Sequence, residues 1–304
     1  MSRRLTRGLL WIAFGPALVV VGTSSGLRLA ANGLGCKPWP NCYGDAATAQ
    51  ALQQSPVAKA ARLVHRVAAS AFALAALCAT LMGWRHWGRR VRVAAVLVLA
   101  VTALLSTVGL YTPSPLPVVT LINVLGGMAL LGGTAFLISA RSTAGVSPRG
   151  PRLALSALVL LLALQAAVGA MISVRSAGAP CEHGCDAVWL PDAIQLWHPL
   201  RPGSAEEVIP SRQAGAPLHA VHRSGAIMVA MLATALTAVM LTGGGASRTR
   251  RGFAALATCV ALGLLLSSFG GSLWLAIAHA LSAGVLFASV AALLAGGAAE
   301  EARP

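Results

Sequence analysis

The chain has 304 residues, 57% hydrophobic and only 10% charged, with a formal net charge of +15. Its long uncharged stretches exclude an ordinary soluble globular domain and fit a polytopic membrane protein. The basic residues cluster in short links between apolar runs, where they orient a membrane protein, and nothing resembles a base-reading module, so no nucleic-acid partner is expected.

Eight segments are long enough to cross a bilayer: 8–25, 57–82, 92–111, 117–139, 152–174, 217–241, 252–269 and 273–297. The first follows Arg3, Arg4 and Arg7 in "SRRLTRG", which looks like the start of a signal peptide. Its apolar part runs on too long, and no small-residue cleavage site stands before "GLRLAANG", so a retained helix is expected. The loop after it carries Cys36 and Cys42 on either side of "KPWPN". The second segment opens with "LVHRVAASAFAL", which holds His65 and Arg66. Arg85, His86, Arg89, Arg90 and Arg92 fill the next link, and the third segment leads to the fourth, where Asn123 sits in "VVTLINVLGGMALL". Arg141, Arg149 and Arg152 precede the fifth segment. A long loop then holds Cys181 and Cys185 around "EHG", with His183 and His198. The sixth segment begins "PLHAVHRSGAIMVAM", with His219, His222 and Arg223, and is followed by Arg248, Arg250 and Arg251. The seventh is short and is divided from the eighth only by "SFGGSLW"; His279 opens the eighth in "LWLAIAHALSAGVL".

Eight crossings put every basic link on one side, the cytoplasmic side, with both termini inside and the protein in the cell inner (plasma) membrane. The two cysteine pairs then lie on the oxidising face, where Cys36/Cys42 and Cys181/Cys185 are each free to form a disulfide, as staples rather than as a thiol relay. Cys78 and Cys259 fall mid-segment and read as small apolar fillers.

The landmarks recur. His222 follows His65 by 157 positions, Cys181 follows Cys36 by 145, and Cys185 follows Cys42 by 143. The sequence therefore predicts an all-α membrane protein of two tandem four-helix bundles, 1–140 and 152–297, related by a pseudo-two-fold axis near the membrane normal. Counting back about 156 from His279 reaches Asn123, so the second unit has two histidines where the first has His65 and an amide.

An ionisable ring inside hydrocarbon asks for a partner. The plain alternative is a neutral ring bonded to a neighbouring backbone. For His222 and His279 together a haem is the better expectation, because two imidazoles on facing helices grip an iron from both sides. Arg66 and Arg223 either snorkel outward or pair with haem propionates. His219, one turn before His222, serves at most as its support, and His86, His183 and His198 are expected to be solvated. Zinc fits poorly, since no thiolate or carboxylate joins the scattered rings.

"GLRLAANGLGCKPWPNCYG", "VVTLINVLGGMALL", "PLHAVHRSGA" and "LWLAIAHALSAGVLF" together resemble the signatures of the haem A synthase family of proteobacterial type, in order and from about residue 8 to 297. The resemblance implies a membrane oxidoreductase that turns the C8 methyl of haem O into the formyl of haem A, for cytochrome oxidase biogenesis. It implies haem b, with its iron, on His222 and His279, and the substrate haem O in the first unit between His65 and the site of Asn123. Haem O synthase and oxidase assembly proteins are the implied partners beside the lipid bilayer, and a homo-oligomer is compatible. The first unit departs from the family twice. Asn123 stands where a histidine is expected, and Arg62 stands near a position that carries a glutamate. None of the eight acidic residues falls within a helix core, so a buried proton-handling carboxylate is missing. That leaves two readings: a haem A synthase, and an impaired relative that carries haem or assists oxidase assembly. An electron-transfer cytochrome is disfavoured because every candidate ligand lies in one outer layer. A transporter is disfavoured because no broken, charged helix marks the midplane.

Overall fold

Hydrocarbon offers a peptide group no hydrogen-bond partner, so an apolar run of membrane length must close its backbone on itself as a helix. The computed structural model describes residues 2–31, 34, 46–112, 116–140, 149–175, 197–201, 212–242, 246–269 and 272–296. These form α1 (Ser2–Ala31), α2 (Ala46–Gln54), α3 (Pro56–Gly83), α4 (Arg89–Val108), α5 (Pro117–Ser139), α6 (Arg149–Val174), α7 (Arg212–Thr242), α8 (Ala246–Phe269) and α9 (Leu273–Gly296). Among the described residues there is no strand, and every helix but α2 is long and apolar enough to cross a membrane.

The eight expected segments are all present, and most are longer than the apolar pattern alone suggests. α1 takes in the arginines at its start and keeps Pro16 inside. α8 begins at Ala246, so the segment that looked short is a full helix, and its arginines Arg250 and Arg251 belong to its first turns. The exception in kind is α2, a nine-residue helix in the loop between α1 and α3. It stops at Ser55, whose hydroxyl accepts a hydrogen bond from the Ala58 amide at 3.2 Å and so caps α3, while Pro56 opens that helix.

Packing closes two rings. In the first, α1 packs on α3, α3 on α4, α4 on α5 and α5 back on α1. In the second, α6, α7, α8 and α9 repeat the pattern. α3 and α5 occupy opposite corners of one ring, and α7 and α9 opposite corners of the other. The rings join chiefly along α5 and α9, flanked by α1 on α9 and α5 on α6. Exchanging α1 with α6 and α5 with α9 maps this seam onto itself, which fits the pseudo-two-fold axis.

Small residues let the seam close. A methyl on Gly132 in α5 would lie 2.6 Å from the Phe287 ring, and one on Gly284 in α9 would lie 2.9 Å from Leu131. Apolar attraction between helices is weak in lipid, so this backbone proximity and side-chain interlock supply the contact. Phe72, Leu131 and Leu155 are fully buried, whereas Leu97 and Leu104 on α4 and Leu264 and Leu265 on α8 are exposed and face outward.

Candidate functional site

His222 on α7 and His279 on α9 come together across the second ring, toward the starts of those two helices. Their ring centroids are 6.4 Å apart, with the planes at 79°. A metal–nitrogen bond of about 2 Å on each side, plus a ring radius of roughly 1.2 Å each, separates two axial imidazoles by roughly 6 Å. The pair is therefore spaced for one shared metal ion. Among the described residues no three His, Cys, Asp or Glu side chains converge.

Each ring is held by its Nδ1 from a neighbouring helix. The His279 Nδ1–H donates to the Cys259 carbonyl of α8 at 3.1 Å, which leaves Nε2 with its lone pair for a metal. The Cys259 sulfur lies 4.0 Å from the same nitrogen. His222 is held by Gln165 of α6, whose amide nitrogen is 3.0 Å from Nδ1 and also donates to the His222 carbonyl. In this arrangement Nδ1 accepts and the ring proton sits on Nε2. Nε2 becomes a ligand only if the Gln165 side chain moves, because turning the amide over in place would set Oε1 against the His222 carbonyl oxygen. The two rings are thus equally anchored but not in the same tautomer.

Glycines make the room. A methyl on Gly169 would lie 3.2 Å from Cε1 of His222, and one on Gly263 would lie 3.0 Å from Cε1 of His279. A methyl on Gly225 would collide with the Gln165 amide. Side chains at these three places would displace the rings or the amide that orients one of them. The 6.4 Å spacing and the held Nδ1 atoms are compatible with an iron between the rings once His222 carries its proton on Nδ1.

The first ring is built differently. Thr23 of α1 takes the part of Gln165: its hydroxyl donates to the Val19 carbonyl at 2.7 Å, and its oxygen accepts from His65 Nδ1 at 3.1 Å. His65 therefore keeps the Nε2 lone pair. Asn123 turns elsewhere and donates through Nδ2 to the Thr112 hydroxyl, at 3.3 Å, just beyond α4. Arg62, near the place where a carboxylate was expected, donates to the Gln53 carbonyl at the end of α2, at 2.8 Å. Arg66 and Arg223 are both exposed. Cys36, Cys42, Cys181 and Cys185, His183 and all eight acidic residues lie outside the described residues. His219 is half-buried, and His198 accepts the Leu200 amide on Nδ1.

Two arginines escaped notice in the sequence. Arg28 of α1 reaches Ser173 of α6 through Nε at 3.2 Å, joining the two rings near the C-terminal ends of both helices. Arg175, buried at the end of α6, donates to the carbonyls of His198 and Arg201 and ties down residues 197–201. Gln165 did carry a signal, as the one amide in the apolar run 152–174. The chain matches the family of cytochrome oxidase assembly proteins described as COX15-CtaA over residues 7–291. No curated protein gives a match.

Proposed function

Because the chain belongs to the COX15-CtaA family of cytochrome oxidase assembly proteins, we propose that it is a haem A synthase-like oxidoreductase of the inner membrane. Its reaction is the oxidation of the C8 methyl of haem O to a formyl group, and its basic links face the cytoplasm. The observation that carries the reading is the pairing of His222 and His279, two anchored imidazoles at the spacing of one iron. Bound there, haem b supplies a one-electron centre close to the outer face.

The residues of this chain do the holding. Gln165 and the Cys259 carbonyl fix the two ring orientations, and the glycines keep the ring edges clear. Arg223, exposed one residue after His222, is suited to a propionate at the rim, as Arg66 is beside His65. His65, held by Thr23 with Nε2 free, is the ligand for the substrate haem O.

A second reading, a family member that binds haem and assists oxidase assembly without oxidising it, is favoured by two contacts. Asn123 is spent on Thr112 and Arg62 on Gln53, so neither residue restores the missing imidazole or carboxylate. One experiment separates the readings. Expressed in a strain lacking haem A synthase, the chain is expected to give haem A in the extracted haems. Haem O alone would leave the assembly reading. The purified protein is expected to show a low-spin bis-imidazole spectrum that is lost in His222→Ala and in His279→Ala. A spectrum unchanged in both variants overturns the ligand assignment.

A further inference from the structure

The end of the molecule opposite the histidines carries a cleft of about 480 Å³ that the proposed reaction leaves unused. Its lining is Trp84, Arg89, Arg92, Val93, Val96 and Leu97. Trp84 begins the 3₁₀ turn after α3, and the other five residues share one face of α4. Arg89 and Arg92 thus border one cleft whose surface is almost wholly apolar and whose lining contains no acidic side chain. Arg92 is pre-set: its Nε donates to the Trp87 carbonyl at 2.9 Å, and its guanidinium lies 5.7 Å from the centre of the Trp84 ring. That leaves the terminal Nη groups to meet an anion. The start of α4 adds to the pull, because its cap residue Gly88 has no side chain to satisfy the first amides.

The cleft also has a direction. Along α4 the order is charge, charge, then Val93, Val96 and Leu97, all exposed and pointing away from the basic link toward the middle of the apolar span. The charged and apolar parts spread over about 12 Å of helix. A tryptophan at the polar boundary is where such a ring settles in a bilayer. Free phosphate would use the charged end and ignore the apolar wall. A neutral lipid would do the reverse.

We propose that this cleft is a binding site for an anionic glycerophospholipid, its phosphodiester held by Arg89 and Arg92 and its first acyl methylenes lying along Val93, Val96 and Leu97. Basic pockets on membrane helices take lipid headgroups by the same logic. The site stands on the cleft alone and holds whether or not the chain oxidises haem O.

The test uses the purified full chain in detergent, with native mass spectrometry to count retained phosphatidylglycerol or phosphatidylcholine of identical acyl chains. Wild type is expected to retain phosphatidylglycerol and to release phosphatidylcholine. Arg89→Gln/Arg92→Gln is expected to weaken retention by roughly fivefold for each guanidinium removed. Arg4→Gln/Arg7→Gln, which removes the same charge on the same face outside the cleft, is expected to retain the lipid as wild type does. Val96→Trp, which keeps both arginines and fills the apolar end, is expected to lose it, and this variant decides the matter if the arginine pair proves necessary for folding. Equal retention of the two lipids overturns the proposal. So do unaltered retention in both cleft variants and displacement of the lipid by inorganic phosphate.

Discussion

Gln165 shows how one side chain sets the chemistry of another. Its amide meets both the Nδ1 and the carbonyl of His222, so the ring cannot rotate without breaking a bond inside a low-dielectric bundle. Replacing a group that orients a metal-binding histidine commonly lowers metal affinity by about 10–100-fold. Gln165→Leu is therefore expected to weaken haem retention on that scale and to mix high-spin character into the spectrum. Gln165→Glu, whose carboxylate accepts from an Nδ1–H but loses the bond to the His222 carbonyl, is expected to keep part of the low-spin form. Haem titration of the purified variants reads both, and an unaltered affinity in Gln165→Leu would show that the amide does not hold the ring. His65, His222 and His279 stood out in the sequence because a titratable ring in an apolar run needs a reason. Thr23 did not stand out, since a hydroxyl in such a run usually bonds back to its own helix, and Thr23 does that as well.

Glycines argue at the scale of the helix. In α5 the sequence reads "LGGMALLGGT", and the structure gives each Gly-Gly pair two neighbours. Gly126 and Gly133 face Leu105 and Val98 on α4, whereas Gly127 and Gly132 face Val21 on α1 and Phe287 on α9. α5 is thus tightly packed on three sides and belongs to both the first ring and the seam. Gly132→Ala is expected to push Phe287 out of place, an overpacking that costs about 1–3 kcal/mol and lowers the midpoint of thermal unfolding. The double change Gly132→Ala/Phe287→Leu is expected to recover part of the loss. A single variant as stable as wild type would mean that the seam is looser than the distance implies. The two Gly-Gly pairs, six residues apart, stand plainly in the sequence, but which partner each glycine faces does not.

Over the whole molecule, orientation rests on charge. Among the described residues Arg4, Arg7, Arg89, Arg92, Arg152, Arg250 and Arg251 lie at one end of the helices, and the candidate haem ligands lie toward the other. Fusions to alkaline phosphatase are expected to be inactive after Gly88 and active after Gly203, and the reverse pattern would invert the proposed topology. The number of crossings, the repeat of four and the diverging pair His279 and Asn123 could all be read from the sequence. Apolar length, basic links and landmark spacing are properties of the chain in one dimension, and hydrocarbon forces each such run into a helix. Tertiary structure alone decided that α5 and α9 form the seam, that His222 and His279 lie 6.4 Å apart, and that Asn123 is bonded to Thr112 rather than to His65. Those outcomes depend on the rotation of each helix about its axis, which is set by which small residues allow close approach and where each polar atom finds a partner. A rotation of that kind leaves composition, length and charge untouched.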